Sequence, residues 1–444
     1  MDLTYFVDYL EKISNSILLV PGIIVLVVSI ILTFKTRFVQ IRTIPKMLKI
    51  LFSSIFYKTK NGNGEETIRA SKALFTAMAT TIGVSSITAP VIAVRLGGPG
   101  ALVGFMIAAL LGGAVTFTEV TLALTYRKKL KDGTIMGGPM QYLKTLSPFW
   151  ASWYAYAGII LLVIWSARQS NTLADLLNPY HVPDSLTGIV LAIFVTITLI
   201  GGIKRVGQIT EKLVPFMFLL YTGTALWIIF CNISKLPAVF DLIFRSAFSR
   251  SAIFGAGISG GLQALFRWGF VNAIQNNEAG IGTSTIPHSM ADTKDPSTQG
   301  ILAMVSIYSH GLICLLSGLI ILLTGTWEDL SIGLGIKVIS KSFAMYFSYI
   351  GPIALAISAV LFAYSTILGN AYNGSQCYSY ITQNQNLKLY YFAIAALIFF
   401  GAMVSVKFLW VITDFFAVAV ALPNIIGILI LAFKNKGLFR KINP

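Results

Sequence analysis

AIQNNEAGIGTS, residues 273–284, lies between LQALFRWGFVN and TIPHSM. Positions 275–282 alone hold a Gln, two Asn, a Glu and two Gly. The rest of the chain avoids such groups: of 444 residues, 56% are apolar and 11% charged, and the mean hydropathy is +0.77. Repeated apolar runs of about 20 residues match the hydrocarbon core of a bilayer. Backbone N–H and C=O groups left unpaired in lipid cost several kcal/mol each, so irregular backbone at membrane depth must line a cavity or meet a ligand. The stretch therefore predicts a transmembrane helix broken at its midpoint.

Working outward, apolar spans are predicted at 16–34, 72–95, 98–125, 150–176, 185–203, 210–231, 258–290, 298–324, 349–372, 387–406 and 408–433. The leading MDLTYFVDYLEK is acidic, unlike a cleaved signal peptide. Residues 35–72 carry Lys35, Arg37, Arg42, Lys46, Lys49, Lys58, Lys60, Arg69 and Lys72 against Glu65 and Glu66. The positive-inside rule makes this segment cytoplasmic and the N-terminus external. Part of it, 40–57, has the spacing of a helix lying on the membrane surface. The loops 126–133, 203–212, 293–298 and 384–388 and the basic tail then fall inside with the C-terminus, and the acidic 326–331 loop falls outside. The net charge of +16 is thus spent on topology, which excludes a nucleic-acid partner. Cys231, Cys314, Cys377, His181, His288 and His310 are scattered without metal-ligand spacing.

A second span is also unusual: ATTIGVSSITAP (79–90) has Gly, Ser and Thr where Leu is expected. Once the first span is set aside, the two odd spans open two five-helix halves. Paired interruptions at equivalent places point to a transporter with inverted repeats. The predicted divisions are 1–70 (N-terminal helix and basic amphipathic segment), 71–232 and 233–434 (the two repeats), and 435–444 (basic tail). A broken helix offers N–H groups suited to a carboxylate and carbonyls suited to Na⁺. Gly83, Gly280 and Gly282 would permit the unwinding. A zwitterionic amino acid suits such a site, although anions and polyols also use broken helices.

At these residues the chain resembles the alanine/glycine:cation symporter family. The blocks that carry the resemblance are RLGGPGALVGFMIAALLG (95–112), GGPMQYL (137–143), QSNTLADLL (169–177), GGIKRVGQITEKLVPFM (201–217), FRWGFVNAIQNNEAGIGTSTIPHS (266–289), FAYSTILGNAYNG (362–374) and DFFAVAVALPN (414–424). The resemblance implies an all-α integral membrane protein of about 11 helices in the bacterial inner membrane. Its core would be the leucine-transporter 5+5 inverted repeat, preceded by one extra helix. It implies import of alanine, glycine or a similar amino acid with Na⁺, or alternatively H⁺. A substrate pocket is implied at Thr81, Gly83, Ser85, Gln169, Asn277, Gly280, Gly282, Thr366 and Asn370. The cation would sit among backbone carbonyls near Gly83 and the hydroxyls of Ser365 and Thr366. The chain departs from the family pattern at Val84, Ser85 and Ser86, which stand for Thr-Gly-Asn, and at Asn370, which stands for Trp. Loss of that Trp implies a larger or more polar pocket.

Three of the carboxylates within spans, Glu119, Glu278 and Asp414, are read as structural or gating groups. Glu278 reads either as a binding, gating or proton-carrying group or as a structural bridge between half-helices. Glu119 reads as a salt-bridge or packing residue, with a coupling or gating role as the alternative, and Asp414 as a helix cap or water-facing group. Arg168 reads as snorkelling from a helix end, with an outer gate to Asp175 as the alternative. His288 reads as a helix-end hydrogen bonder. The Gly-Gly-Pro segments lack phosphate-loop context and read as turns. A channel would need rings of charges or carbonyls, and an enzyme a nucleophile–base or metal constellation; neither is evident. No segment marks an obligate protein partner. An H⁺-coupled carrier of a larger or more polar amino acid and a non-transporting substrate sensor on the same fold stay open as alternatives.

Overall fold

A computed structural model describes residues 18–56, 68–129, 135–248, 264–404, 406–435 and 437–438. The acidic leader and residues 258–263 of the predicted seventh span lie outside them. Among the described residues, seven helices are long and apolar enough to cross a membrane, including the broken Ala70–Gly97 unit. Three shorter apolar helices, Leu19–Lys35 (α1), Asp184–Leu199 (α9) and Leu387–Gly401 (α17), fall at predicted spans. Large side chains such as Phe216, Leu219 and Phe392 are exposed. On a membrane protein such residues form the lipid-facing coat.

Val39–Arg42 (α2) and Ile44–Phe56 (α3) follow α1. On α3, Leu48, Phe52 and Ile55 are exposed at helical spacing and Met47 is buried, as a surface-lying helix requires. The first broken unit is Ala70–Thr81 (α4) plus Val84–Gly97 (α5). Then come Ala101–Tyr126 (α6), Pro139–Lys144 (α7), Pro148–Leu177 (α8), α9 and Gly202–Cys231 (α10). After Leu236–Phe248 (α11), the second broken unit has a π-helical turn at Ala264–Val271, then Asn272–Asn277 (α12) and Thr285–Ser289 (α13). Pro296–Thr324 (α14), Ile336–Phe347 (α15), Ile350–Thr382 (α16), α17 and Val406–Lys434 (α18) complete the chain.

The sequence reading passed over α7, α11 and α15. α11 is marked by Val239, Ile243 and Ala247, buried at four-residue spacing on a helix too short to span. Among the described residues the fold is helical apart from a hairpin of two-residue strands, Lys128–Lys129 (β1) with Ile135–Met136 (β2), and one bridge between Ile68 and Ala291. That bridge matters for the site. Ile68 N–H donates to Met290 O at 3.0 Å and Asp292 N–H to Ile68 O at 2.8 Å, so the far ends of the two broken units are tied together.

The most extensive helix pairings include α6 with α14, α8 with α16, and α9 with α17. Each joins spans five apart in the ten-span order. α6 meets the π-helical turn through small residues: a Cβ on Gly104 would lie 2.2 Å from Leu265 O, and one on Gly269 2.5 Å from Ala101 O. Such contacts let helices approach closely where no hydrophobic force drives them together.

Candidate functional site

The first break is only two residues long. Ile82 leaves the helix at φ −108°, ψ 85°, and Gly83 is fully extended at φ −113°, ψ −174°. Any residue adopts that backbone, so Gly83 is not needed for unwinding, contrary to the expectation. Space is the reason. A Cβ there would lie 2.8 Å from Thr366 Oγ1 and 2.9 Å from Gln169 Nε2. The hydroxyls of Thr80 and Thr81 bond back to carbonyls of their own turn, which weakens the helix before the break. Where α5 begins, Val84 N–H donates to Gln169 Oε1 at 3.3 Å.

The second break runs from Glu278 to Ser284. Glu278, Gly280 and Gly282 have φ of 62°, 89° and 88°. For the two glycines this is the left-handed conformation that side chains disfavour. Three helices serve the released carbonyls. Asn424 Nδ2 (α18) donates to Gly280 O at 2.9 Å, Tyr154 Oη (α8) to Ile281 O at 2.8 Å, and Asn373 Nδ2 (α16) to Thr283 O at 3.2 Å. This is how irregular backbone persists at membrane depth. The sequence reading named none of these three residues. Asn373 had a signal, because Thr366, Asn370 and Asn373 form one i, i+4, i+7 polar stripe on α16.

A polar cavity lies between the breaks. It brings together five of the expected residues: Ser85, Gln169, Glu278, Thr366 and Asn370. It adds Thr80, Trp165, Arg168, Gln275 and Asn276. Thr81 is buried but turned into its own helix, and Asn277 Oδ1 accepts from Ala279 N–H at 3.0 Å to shape the turn. Gly280 and Gly282 sit deeper, against Ile425 and against Pro139 and Asn424.

Thr366 Oγ1 donates to Ile82 O at 3.4 Å, so the carbonyl it meets is that of Ile82 and not of Gly83. Ser365 faces another neighbour: its hydroxyl donates to Phe362 O at 3.0 Å and to Met217 Sδ at 3.3 Å. The hydroxyl and carbonyl oxygens at Thr366 and Ile82 have the hardness that Na⁺ requires. No group of three or more His, Cys, Asp or Glu suited to a metal occurs among the described residues.

Glu278 links the two broken units. Its Oε2 accepts from Thr80 Oγ1 at 3.1 Å and also from Thr283 Oγ1. Glu119, fully buried, accepts from Asn424 Nδ2 at 2.6 Å through Oε1, so its partner is an amide and not the cation of a salt bridge. Asn424 in turn accepts from Tyr142 Oη at 2.5 Å. Asp414 is not a helix cap: it lies half-buried inside α18, and its Oδ1 accepts from Gln275 Nε2 at 3.2 Å. Arg168 likewise does not snorkel. It lines the cavity, and its electrostatic partner is Asp414, not Asp175. His288 Nδ1 lies 2.8 Å from Gln299 Nε2, as a hydrogen bonder should.

Two broken helices crossing at a polar cavity within a many-span bundle define a secondary transporter with the leucine-transporter type of fold. The fold agrees with that of a Na⁺-coupled sialic acid symporter (TM-score 0.59, 15% identity, 91% of this chain and 98% of that one). The chain belongs to the sodium:alanine symporter family, whose model matches residues 2–441. It is similar to the sodium/alanine symporter AgcS of Methanococcus maripaludis (34% identity, 94% of this chain, 93% of the relative). It is also similar to the probable sodium/glutamine symporter GlnT of Bacillus subtilis (32% identity, 96% and 88%). This is a family of Na⁺-coupled amino-acid symporters, not of enzymes.

Proposed function

We propose that this protein imports a small neutral amino acid, alanine, glycine or a similar one of L or D form, together with Na⁺ by alternating access. The observation that carries the reading is the placement of Thr366 and Gln169 against the first break, with Glu278 joining that break to the second. In this arrangement the N–H groups that open α5 receive the substrate carboxylate, in exchange for Gln169. Ile82 O and Thr366 Oγ1 hold the cation; the hydroxyl of Ser365, the third expected ligand, is turned to Phe362 O and Met217 Sδ. Ser85, Gln169 and Asn370 complete the substrate pocket. Asn277, Gly280 and Gly282 support it by fixing the second break. The eleven-span count, the 71–232 and 233–434 repeats and the N-out, C-in orientation belong to the same reading. Pairing of spans five apart supports the repeats.

Adjacent cation and substrate sites stabilise each other reciprocally. Calorimetric titration of the purified transporter with alanine is therefore expected to give at least about tenfold tighter binding in NaCl than in choline chloride. Equal affinity in both salts contradicts Na⁺ coupling at this site. The H⁺-coupled reading predicts a response to pH instead of Na⁺.

A further inference from the structure

We propose, resting on the carrier reading above, that Arg127 is the latch of the cytoplasmic gate. It holds the far ends of the two broken units together and must let go for substrate to leave the cavity on that side.

The chain that follows α13 is an extended segment held along both edges. Its even-numbered residues bond the approach to α4: Met290 O accepts from Ile68 N–H at 3.0 Å, and Asp292 N–H donates to Ile68 O at 2.8 Å. Its odd-numbered carbonyls meet a single guanidinium. Arg127 Nη1 donates to Ser289 O at 3.0 Å and to Ala291 O at 2.7 Å, and Nη2 donates to Thr293 O at 3.3 Å. Arg127 thus stands where a third strand would, a place that suits its planar fork of donors.

The position of these bonds makes them a gate. In the proposed orientation α4 and α13 are the cytoplasmic halves of the broken units, and the substrate cavity lies beyond them. Alternating access needs those halves to part. Arg127 is a fixed post, because it follows directly on α6, whose packing against α14 is among the most extensive in the bundle. α13 is only five residues long and rests on α4 and α6. The seal beneath is also separate: Ile68, Ala73, Met290 and Ala291, with Ile135 of β2, form a buried apolar cluster distinct from the main core. It can open without disturbing that core. Arg127 is half-buried and Asp292, Lys294 and Asp295 are exposed, so water can take over the released carbonyls at small net cost. The carbonyls of the second break, served by Tyr154, Asn373 and Asn424, lie deep and have no such exchange.

The test is labelling by a membrane-impermeant maleimide in inside-out vesicles, read at each cysteine by mass spectrometry. The reporter is Ser289→Cys in a Cys231→Ser background; Ser289 is buried, and Gly137 packs directly on its side chain. Adding Arg127→Gln is expected to speed labelling at position 289 by at least about tenfold, because charge-assisted bonds are lost from the closed state alone. Labelling of Cys314, buried in the bundle, is expected to stay unchanged. Arg127→Lys keeps the charge without the fork, and its rate is expected to fall between the two. An unchanged rate in the Gln variant overturns the latch. So does a rise at Cys314 in step with position 289, which would mean a loosened bundle. If the Gln variant does not reach the membrane, the Lys variant decides, and the unsubstituted rate there overturns the proposal. Uptake by the unsubstituted protein is measured alongside: if it accumulates no amino acid under a Na⁺ or H⁺ gradient, the carrier reading falls whatever the labelling shows, and the gate with it.

Discussion

Glu278 shows at the scale of one residue how an ionisable group is kept inside a membrane protein. One carboxylate oxygen accepts two hydroxyls, from Thr80 on the first broken unit and Thr283 on the second, so the charge is met by donors from both. A charge-assisted hydrogen bond contributes about 1.5–3 kcal/mol. Glu278→Gln keeps an acceptor at this position, and its uptake is expected to stay within about threefold of the wild type with the same pH profile. Glu278→Ala removes the acceptor and is expected to lower stability in detergent by about 3 kcal/mol. A shifted pH profile in the Gln variant would make Glu278 a proton carrier after all. Thr366 carries a different expectation. Thr366→Ala removes the hydroxyl beside Ile82 O, and the Na⁺ concentration for half-maximal uptake is expected to rise about tenfold at unchanged expression. Unchanged Na⁺ dependence would move the cation elsewhere.

At the scale of the element, the two breaks solve the same problem differently. The first needs two non-helical residues and relies on Gly83 having no side chain, so that α16 and Gln169 can approach. Gly83→Ala would push a methyl into Thr366 and Gln169, and displacements of about 1 Å in a site cost roughly a hundredfold in rate. Uptake by Gly83→Ala is expected to fall by about that factor, with the protein still folded by size-exclusion chromatography. Near-normal uptake would show that the approach at Gly83 is dispensable. The second break is longer and relies on Tyr154, Asn373 and Asn424 from three other helices. Both breaks were legible in the sequence, because AIQNNEAGIGTS and ATTIGVSSITAP put polar and small residues where a lipid-spanning helix holds Leu. Their supports were not. Tyr154 and Asn424 act from 127 and 144 residues away from the carbonyls they serve, and no local pattern encodes such a pairing. Arg168 and Asp414 were misread for the same reason: each was judged from its own helix, while the group that explains it lies on another.

At the scale of the whole molecule, α6, α8 and α9 pack on α14, α16 and α17, their counterparts five spans later. The cavity lies where the two broken units cross. Hydropathy made this bundle legible, since runs of about 20 apolar residues announce themselves. Short amphipathic pieces such as α11 and α15 did not, because their buried faces become apolar faces only against the bundle. In the proposed orientation the basic 35–72 segment and the basic tail both face the cytoplasm, as the positive-inside rule predicts. A fluorescent protein fused after Pro444 is expected to fluoresce and alkaline phosphatase fused there to stay inactive; the reverse pattern would invert the topology.

The measurement that tests the central claim most directly is accumulation of radiolabelled amino acids by proteoliposomes holding the purified protein, under an inward Na⁺ gradient, an inward H⁺ gradient, or neither. Concentrative uptake under the Na⁺ gradient, abolished when Na⁺ is equal on both sides, is the predicted result. Folded protein that accumulates no amino acid under either gradient would contradict it and leave a substrate sensor on the same fold.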